Sequence, residues 1–169
     1  KIQDAQTRAS AEFKQNYLLG YLRTFAATLD AIACSIVLTI IGLFPFRLRG
    51  VPLTSWVLIP FLRIVHWIFG VRIVVNNLHL LKEHRGIIVA NHSSFLDASA
   101  FAHIRPVRYL AATEVRKRPM VGWVAKLIGT VFVTRDDLDS RSKASSEIVR
   151  ALRELPEFPI VIFPEGRIG

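Results

Sequence analysis

The segment Asn91-His92-Ser93-Ser94-Phe95-Leu96-Asp97 follows directly on the apolar run 86–90. A histidine at the end of a strand-like run, with a carboxylate five residues on, has the parts of a base and its orienting acid. Within one helix, positions five apart lie about 140° apart around the axis and do not meet. They meet if His92 stands in the turn and Asp97 in the first helical turn, where open backbone N–H groups favour negative charge. The same residues also read as an ordinary helix start, because Ser94-x-x-Asp97 resembles a capping box with Asp in place of Glu. Spacing alone leaves both readings open.

A second stretch raises the same question. Residues 159–163 form another apolar run, and Pro164, Glu165, Gly166 and Arg167 follow at once. Charges set against an apolar run need solvent or a polar ligand. Gly166 permits close backbone approach, and Arg167 has the planar fork that grips phosphate. Alone this is weak, since strand ends often carry charges.

The elements that must position these residues follow from periodicity. From residue 71 onward, short β-branched runs at 72–76, 86–90, 107–112, 130–135 and 159–163 alternate with helical stretches near 94–104, 117–128 and 139–155. This alternation predicts an α/β layer with a mostly parallel sheet flanked by helices, whose active groups gather at the carboxyl ends of strands. Residues 1–70 read as a separate N-terminal region. An amphipathic lead-in over 1–24 precedes two apolar runs, 31–46 and 51–71, joined by the basic turn Arg47-Leu48-Arg49-Gly50. Asp30 bounds the first run, which is short against the roughly 20 residues of a spanning helix. Pro60, Arg63 and His66 interrupt the second. Two short or broken segments suggest a helical hairpin that dips into one leaflet, or two helices lying at the interface, with Trp56 and Trp67 at headgroup level; the expectation is the dipping hairpin with both ends on the cytosolic face. Buried core helices are the alternative.

Bulk properties agree. The 169 residues are 51% hydrophobic, and 22 Lys and Arg against 13 Asp and Glu give a net charge of +9. The mean hydropathy is +0.37. A chain both basic and apolar points to an anionic membrane surface. The aromatics do not interleave with the basic residues, which argues against nucleic acid as a partner. Cys34 is the only cysteine, so no internal disulfide forms, and no His/Cys cluster has metal-ligand spacing. His66 reads as interfacial packing; His79, His84 and His103 have no carboxylate at motif spacing. The chain starts at Lys1 and stops just past an apolar run, which reads as part of a longer protein.

Taken together, the blocks resemble the glycerolphosphate and lysophospholipid acyltransferases, the PlsC-like family. Residues 91–97 match its Asn-His-x4-Asp motif, and Phe163-Pro164-Glu165-Gly166 its Phe-Pro-Glu-Gly motif. Residues 129–135 resemble its Gly-x-x-Phe-x-x-Arg block, and 114–129 its Pro-x-x-Gly-Trp linker. The resemblance runs from about residue 70 onward. It implies His92 as general base, taking the proton from a lipid hydroxyl that attacks an acyl thioester, and Asp97 as the carboxylate that holds the imidazole. Arg135 falls on the phosphate-binding arginine, and Glu165 and Gly166 on the acceptor motif. The familiar Phe-Pro-Glu-Gly-Thr-Arg is altered, with Arg167 at the threonine and Ile168 at the arginine. Many members have Lys-x-Glu-Leu where this chain has Ala112-Thr113-Glu114-Val115, which shifts phosphate binding toward Arg116, Lys117 or Arg118. The alternative for that basic run is a solvated face.

The resulting expectation is a membrane-associated O-acyltransferase acting on the cytoplasmic face. It needs no cofactor: acyl-CoA or acyl carrier protein is the donor substrate and 1-acylglycerol 3-phosphate the acceptor. Rival acceptors are glycerol 3-phosphate, a lysophospholipid and an ornithine-type lipid. A non-catalytic membrane-binding module is the rival from another class. An esterase lacks its Gly-x-Ser-x-Gly elbow here.

Overall fold

The computed structural model describes residues 2–94, 96–134 and 138–165. Helix α1 covers Ile2–Gly42, because no proline and only one internal glycine, Gly20, interrupt this stretch. The amphipathic lead-in and the first apolar run are therefore one helix, and Asp30, expected to bound that run, lies inside it. Its hydroxyls are satisfied locally: Ser35 and Thr39 donate to the carbonyls of Ala31 and Ser35 four residues back.

Two faces of α1 differ sharply. Cys34 and Leu38, one turn apart, are buried. On the opposite face Leu18, Leu22, Phe25, Leu29, Ile32 and Ile36 recur every three or four residues, and all are exposed. From Asn16 to Gly42 the helix is long and apolar enough to cross a bilayer by length and composition.

A two-residue hairpin turns the chain. Strands β1 (Arg47–Leu48) and β2 (Val51–Pro52) pair antiparallel, with Arg49 and Gly50 both at positive φ. That is the turn whose twist suits a tight hairpin, and glycine tolerates it freely. Helix α2 (Leu53–Ile68) then lies against α1. Pro60 sits within it on the exposed side, while Thr54, Ser55, Leu58, Ile59 and His66 are buried.

The run 72–76, expected as a strand, is not one. Its alternation survives as burial, with Val71, Ile73 and Val75 half-buried and Arg72, Val74 and Asn76 exposed, but no neighbouring strand pairs with it among the described residues. Helix α3 (Leu78–Glu83) follows. Arg105 closes its end by donating from Nη1 to the carbonyls of Leu81, Lys82 and His84 at 2.8–2.9 Å.

The remaining elements alternate as expected: β3 (Ile87–Val89), α4 (Leu96–Ile104), β4 (Arg108–Ala112), α5 (Thr113–Arg116), α6 (Val121–Leu127), β5 (Val131–Val133), α7 (Leu138–Glu154) and β6 (Ile160–Ile162). The helix expected over 117–128 is shorter, 121–127, and begins only after Pro119; the one-turn α5 at 113–116 was not expected. The four longer-range strands form one parallel sheet in the order β3-β6-β4-β5. The chain is an α/β layer with a parallel sheet flanked by helices and preceded by apolar helices.

The last strand therefore lies between the first and second strands of the sheet. It pairs Ile87 with Ile160 and Val89 with Ile162, so the segments that follow β3 and β6 leave the sheet side by side. Ile160 and Val161 are fully buried. One core joins Cys34 and Leu38 of α1, Leu58 of α2, Ala102 of α4, Val107, Ile128 and Val161. Thr54 Oγ1 also donates to the Leu127 carbonyl at 2.7 Å, tying α2 to the end of α6.

Candidate active site

Asp97 serves both readings of its segment at once. Its Oδ2 accepts the backbone N–H groups of Ser93 and Ser94, each at 2.8 Å. The same oxygen stands 3.3 Å from Nδ1 of His92. Ser94 returns the favour to the helix, its Oγ accepting from the Leu96 N–H at 3.2 Å. The capping geometry is what brings the carboxylate back over the turn to the imidazole.

These bonds fix the state of Asp97. The Ser94 N–H holds its carboxyl below the ordinary carboxylate value; burial opposes this, and His92 and the Ser93 N–H add to the lowering. A carboxylate that stays ionised makes Nδ1 of His92 the protonated nitrogen. Nε2 then carries the free lone pair, and it has no hydrogen-bond partner among the described residues.

The imidazole has a second support. The ring of Phe163 lies 4.3 Å from it, centroid to centroid, inclined by 19°. Tyr109 stacks at 6.4 Å on the same phenyl ring. Its hydroxyl donates to the carbonyl of Ala98, next to Asp97 in the chain. In the sequence Tyr109 is only one residue of the apolar run 107–112, and Phe163 only the first of the Phe-Pro-Glu-Gly motif. Tyr109 is the second residue of β4 and Phe163 the first beyond β6, and only the strand order brings them beside His92.

The other expected residues divide. Glu165 is exposed three positions past β6, on the same side of the sheet as His92. Arg135, Gly166 and Arg167 lie outside the described residues. Arg116 and Lys117 line a concavity of about 310 Å³ together with Arg118, Trp123 and Lys126. None of these five touches His92 or Asp97 by a hydrogen bond or ring contact among the described residues.

His66 proves to be inside the molecule, 2% exposed, where interfacial packing was expected. Its Nδ1 is 2.9 Å from Nδ1 of His103, and its Nε2 is 2.9 Å from Ser99 Oγ. This small network joins α2 to the helix that begins at the site.

A parallel sheet with a His–Asp pair at the carboxyl end of one strand and a Pro-Glu segment at the end of its neighbour defines the class. The chain belongs to the Acyltransferase family, whose sequence profile matches residues 72–169. It is 38% identical over 80 residues to a lyso-ornithine lipid O-acyltransferase of Pseudomonas aeruginosa, covering 46% of this chain and 29% of that protein. A Brucella abortus protein of the same description is 31% identical over 156 residues, 88% of this chain and 54% of its own length. A 1-acyl-sn-glycerol-3-phosphate acyltransferase of Chlamydomonas reinhardtii is 36% identical over 81 residues, 47% of this chain and 24% of its own. The chain thus spans between about a quarter and about half the length of these relatives. No solved structure matches it.

Proposed function

We propose that the chain transfers a fatty acyl group from a thioester, acyl-CoA or acyl carrier protein, to the free hydroxyl of a lysolipid. The observation that carries this reading is the contact between His92 Nδ1 and Asp97 Oδ2, which leaves Nε2 free to act as base. Nε2 takes the hydroxyl proton as the oxygen attacks the thioester carbonyl. Asp97 stabilises the imidazolium that results. When the tetrahedral intermediate collapses, the C–S bond breaks and the departing thiolate receives that proton. No enzyme nucleophile is needed, and Ser93 and Ser94 shape the turn. A general base of this kind contributes about 10²–10⁴-fold.

The acceptor we propose first is 1-acylglycerol 3-phosphate, with Arg135, Glu165, Gly166 and Arg167 as its contacts by their place in the family's motifs. Ala112, where many family members carry lysine, favours a second reading, a lyso-ornithine lipid, whose headgroup has no phosphate. Two relatives described as acting on that lipid support it. Acyl transfer from palmitoyl-CoA to each acceptor in micelles, with the full-length protein and its His92→Ala variant, tests both. Loss of transfer with an unchanged melt is expected for His92→Ala. Equal transfer by the two proteins overturns the catalytic reading. The preferred acceptor is the one with the higher kcat/KM.

We also propose that α1 lies along the membrane interface, its Leu18–Ile36 stripe in the acyl boundary, and that the hairpin it forms with α2 has both ends on the cytoplasmic side. The stripe faces away from the buried Cys34 and Leu38, which suits a helix lying flat on the bilayer. Ile64 and Trp67 of α2 are exposed as well. Cysteine labelling at residues 28 and 73 from opposite faces of sealed vesicles tests this, and labelling of the two from different sides overturns it.

A further inference from the structure

The elbow between α5 and α6 is strained, cationic and apolar at once. Met120 has φ 57° and ψ −60°, and the Val121 N–H donates to the Pro119 carbonyl at 2.6 Å. This is a γ-turn at positive φ, a conformation that costs about 1–3 kcal/mol for a side-chain-bearing residue. It is held shut from behind: a Cβ on Gly122 would fall 2.3 Å from the Arg116 carbonyl oxygen, so only glycine fits there. What the strained turn presents outward is apolar. Met120 is 45% and Val121 47% exposed.

Behind this tip lies the concavity formed by Arg116, Lys117, Arg118, Trp123 and Lys126. No carboxylate lines it, and from 113 to 129 the only acidic residue is Glu114. Lys126 Nζ stands 5.7 Å above the indole of Trp123. None of these four cations has a salt-bridge partner among the described residues.

Its position relative to α1 is set by one hydrogen bond. Trp123 Nε1 donates to Thr39 Oγ1 at 2.8 Å. At about 100° per residue, Thr39 lies about 100° round the helix from Leu38, the core-facing residue, and about 60° from the exposed Leu/Ile/Phe stripe. The concavity therefore stands beside that stripe, between it and the core.

We propose that this elbow is a second membrane contact: Met120 and Val121 enter the headgroup–acyl boundary, and the four cations take the phosphate of an anionic bilayer phospholipid. The proposal rests on the reading that the α1 stripe faces the bilayer, and it is independent of the chemistry at His92. Charge complementarity and continuity with the stripe select a lipid. Strain at Met120 holds the apolar tip outside, as insertion requires, and each cation near an anionic surface strengthens binding about fivefold.

The test uses a protein whose one tryptophan is Trp123, made by Trp56→Phe and Trp67→Phe, in nanodiscs carrying brominated lipid. Brominated phosphatidylglycerol is expected to quench Trp123 more strongly than brominated phosphatidylcholine. Arg118→Gln with Lys126→Gln should reduce that preference about fivefold per cation, and raised salt should reduce it in the unaltered protein. Equal quenching by the two lipids, or a preference that survives both the double replacement and salt, overturns the proposal. So does loss of quenching on adding inorganic phosphate, which would make this a free-anion site, or on adding acyl carrier protein, which would make it a protein-docking site. The same measurements in His92→Ala should give the same preference, which separates this result from the fate of the catalytic reading.

Discussion

The imidazole of His92 rests on the ring of Phe163, 4.3 Å away and within 19° of parallel. The two residues are 71 positions apart in sequence, and the sheet order alone joins them. β6 pairs with β3, so the first residue beyond Ile162 meets the turn beyond Val89. The phenyl face sets the plane of the imidazole, and Asp97 sets its rotation within that plane. Phe163→Leu keeps the apolar bulk and removes the flat support. A small misplacement of a base is costly, so kcat should fall by roughly tenfold to a hundredfold with KM nearly unchanged. Phe163→Tyr should restore most of it. A parallel loss of melting temperature in the leucine variant, with no rescue by tyrosine, would reduce Phe163 to core packing.

Asp97 offers a way to separate capping from catalysis. Asp97→Asn can keep an oxygen for the Ser93 and Ser94 N–H groups while losing the charge that stabilises an imidazolium. Transfer should drop about 10²–10⁴-fold with little change in stability. Asp97→Ala also leaves two backbone donors unpaired, and should cost about 1 kcal/mol in addition. Urea melts beside single-turnover rates distinguish the two; an asparagine variant with full activity sinks the base–acid assignment.

Much of this arrangement was legible in the sequence, for a physical reason. The strands write themselves as short apolar runs, even β3 with its exposed Ile87 and Val89, and charged or polar residues directly after such runs mark the sheet's carboxyl edge. That is how His92, Asp97 and Glu165 came to attention. Periodicity, however, reports which side chains face inward and says nothing of whether a partner strand exists, so 72–76 alternates without joining the sheet. Nor does it show strand order, and strand order is what stacks Phe163 on His92. The merging of 1–24 with the apolar run followed from backbone propensity: without proline, one buried or exposed aspartate does not end a helix. The late start of α6 at Val121 lay in Pro119 and Gly122, both visible, whose joint effect needed the close approach of the Arg116 carbonyl.

Arg108 is buried at 3% exposure inside the sheet, and its role is to close a helix from a distance. Its Nη2 donates to the carbonyls of Ala151, Leu155 and Phe158 at 2.8–3.1 Å, and Nε reaches Phe158 at 3.0 Å. The guanidinium thus satisfies the Phe158 carbonyl and adds a second bond to the carbonyls of Ala151 and Leu155, which also accept the Leu155 and Phe158 N–H groups. Burial lowers its pKa from the ordinary arginine value, yet the group remains a cation at any working pH. Arg108→Met should cost about 1–3 kcal/mol, since it strands the buried Phe158 carbonyl and removes second bonds at Ala151 and Leu155. Arg108→Lys should recover only part, because an ammonium lacks the fork that spans these carbonyls. Thermal melts of the two variants check the ranking, and a methionine variant as stable as the parent would rule this role out.

The His66–His103 pair makes stability depend on pH in a definite direction. The two Nδ1 atoms are 2.9 Å apart, so one proton serves between them. Burial lowers the pKa of His66; burial, then His66 and Arg63, lower that of His103. Both therefore fall below the ordinary 6.5. The native state takes up protons less readily than the unfolded chain, which makes the pair's contribution complete above about 6.5 and progressively lost as pH falls below it toward the native values. Two protonated rings at this distance also repel each other, and Arg63, whose Nε donates to the His103 carbonyl at 3.3 Å, adds to that repulsion. The melting temperature should accordingly drop between about pH 7 and pH 5. His66→Gln with His103→Gln, which keeps hydrogen-bonding groups without a titrating proton, should flatten that drop. Since Ser99 ties His66 to α4 two residues past Asp97, acyl transfer should decline over the same range in the parent more steeply than in the double variant. Identical pH profiles for stability in both proteins would show that the pair stays neutral throughout and couples nothing to the site.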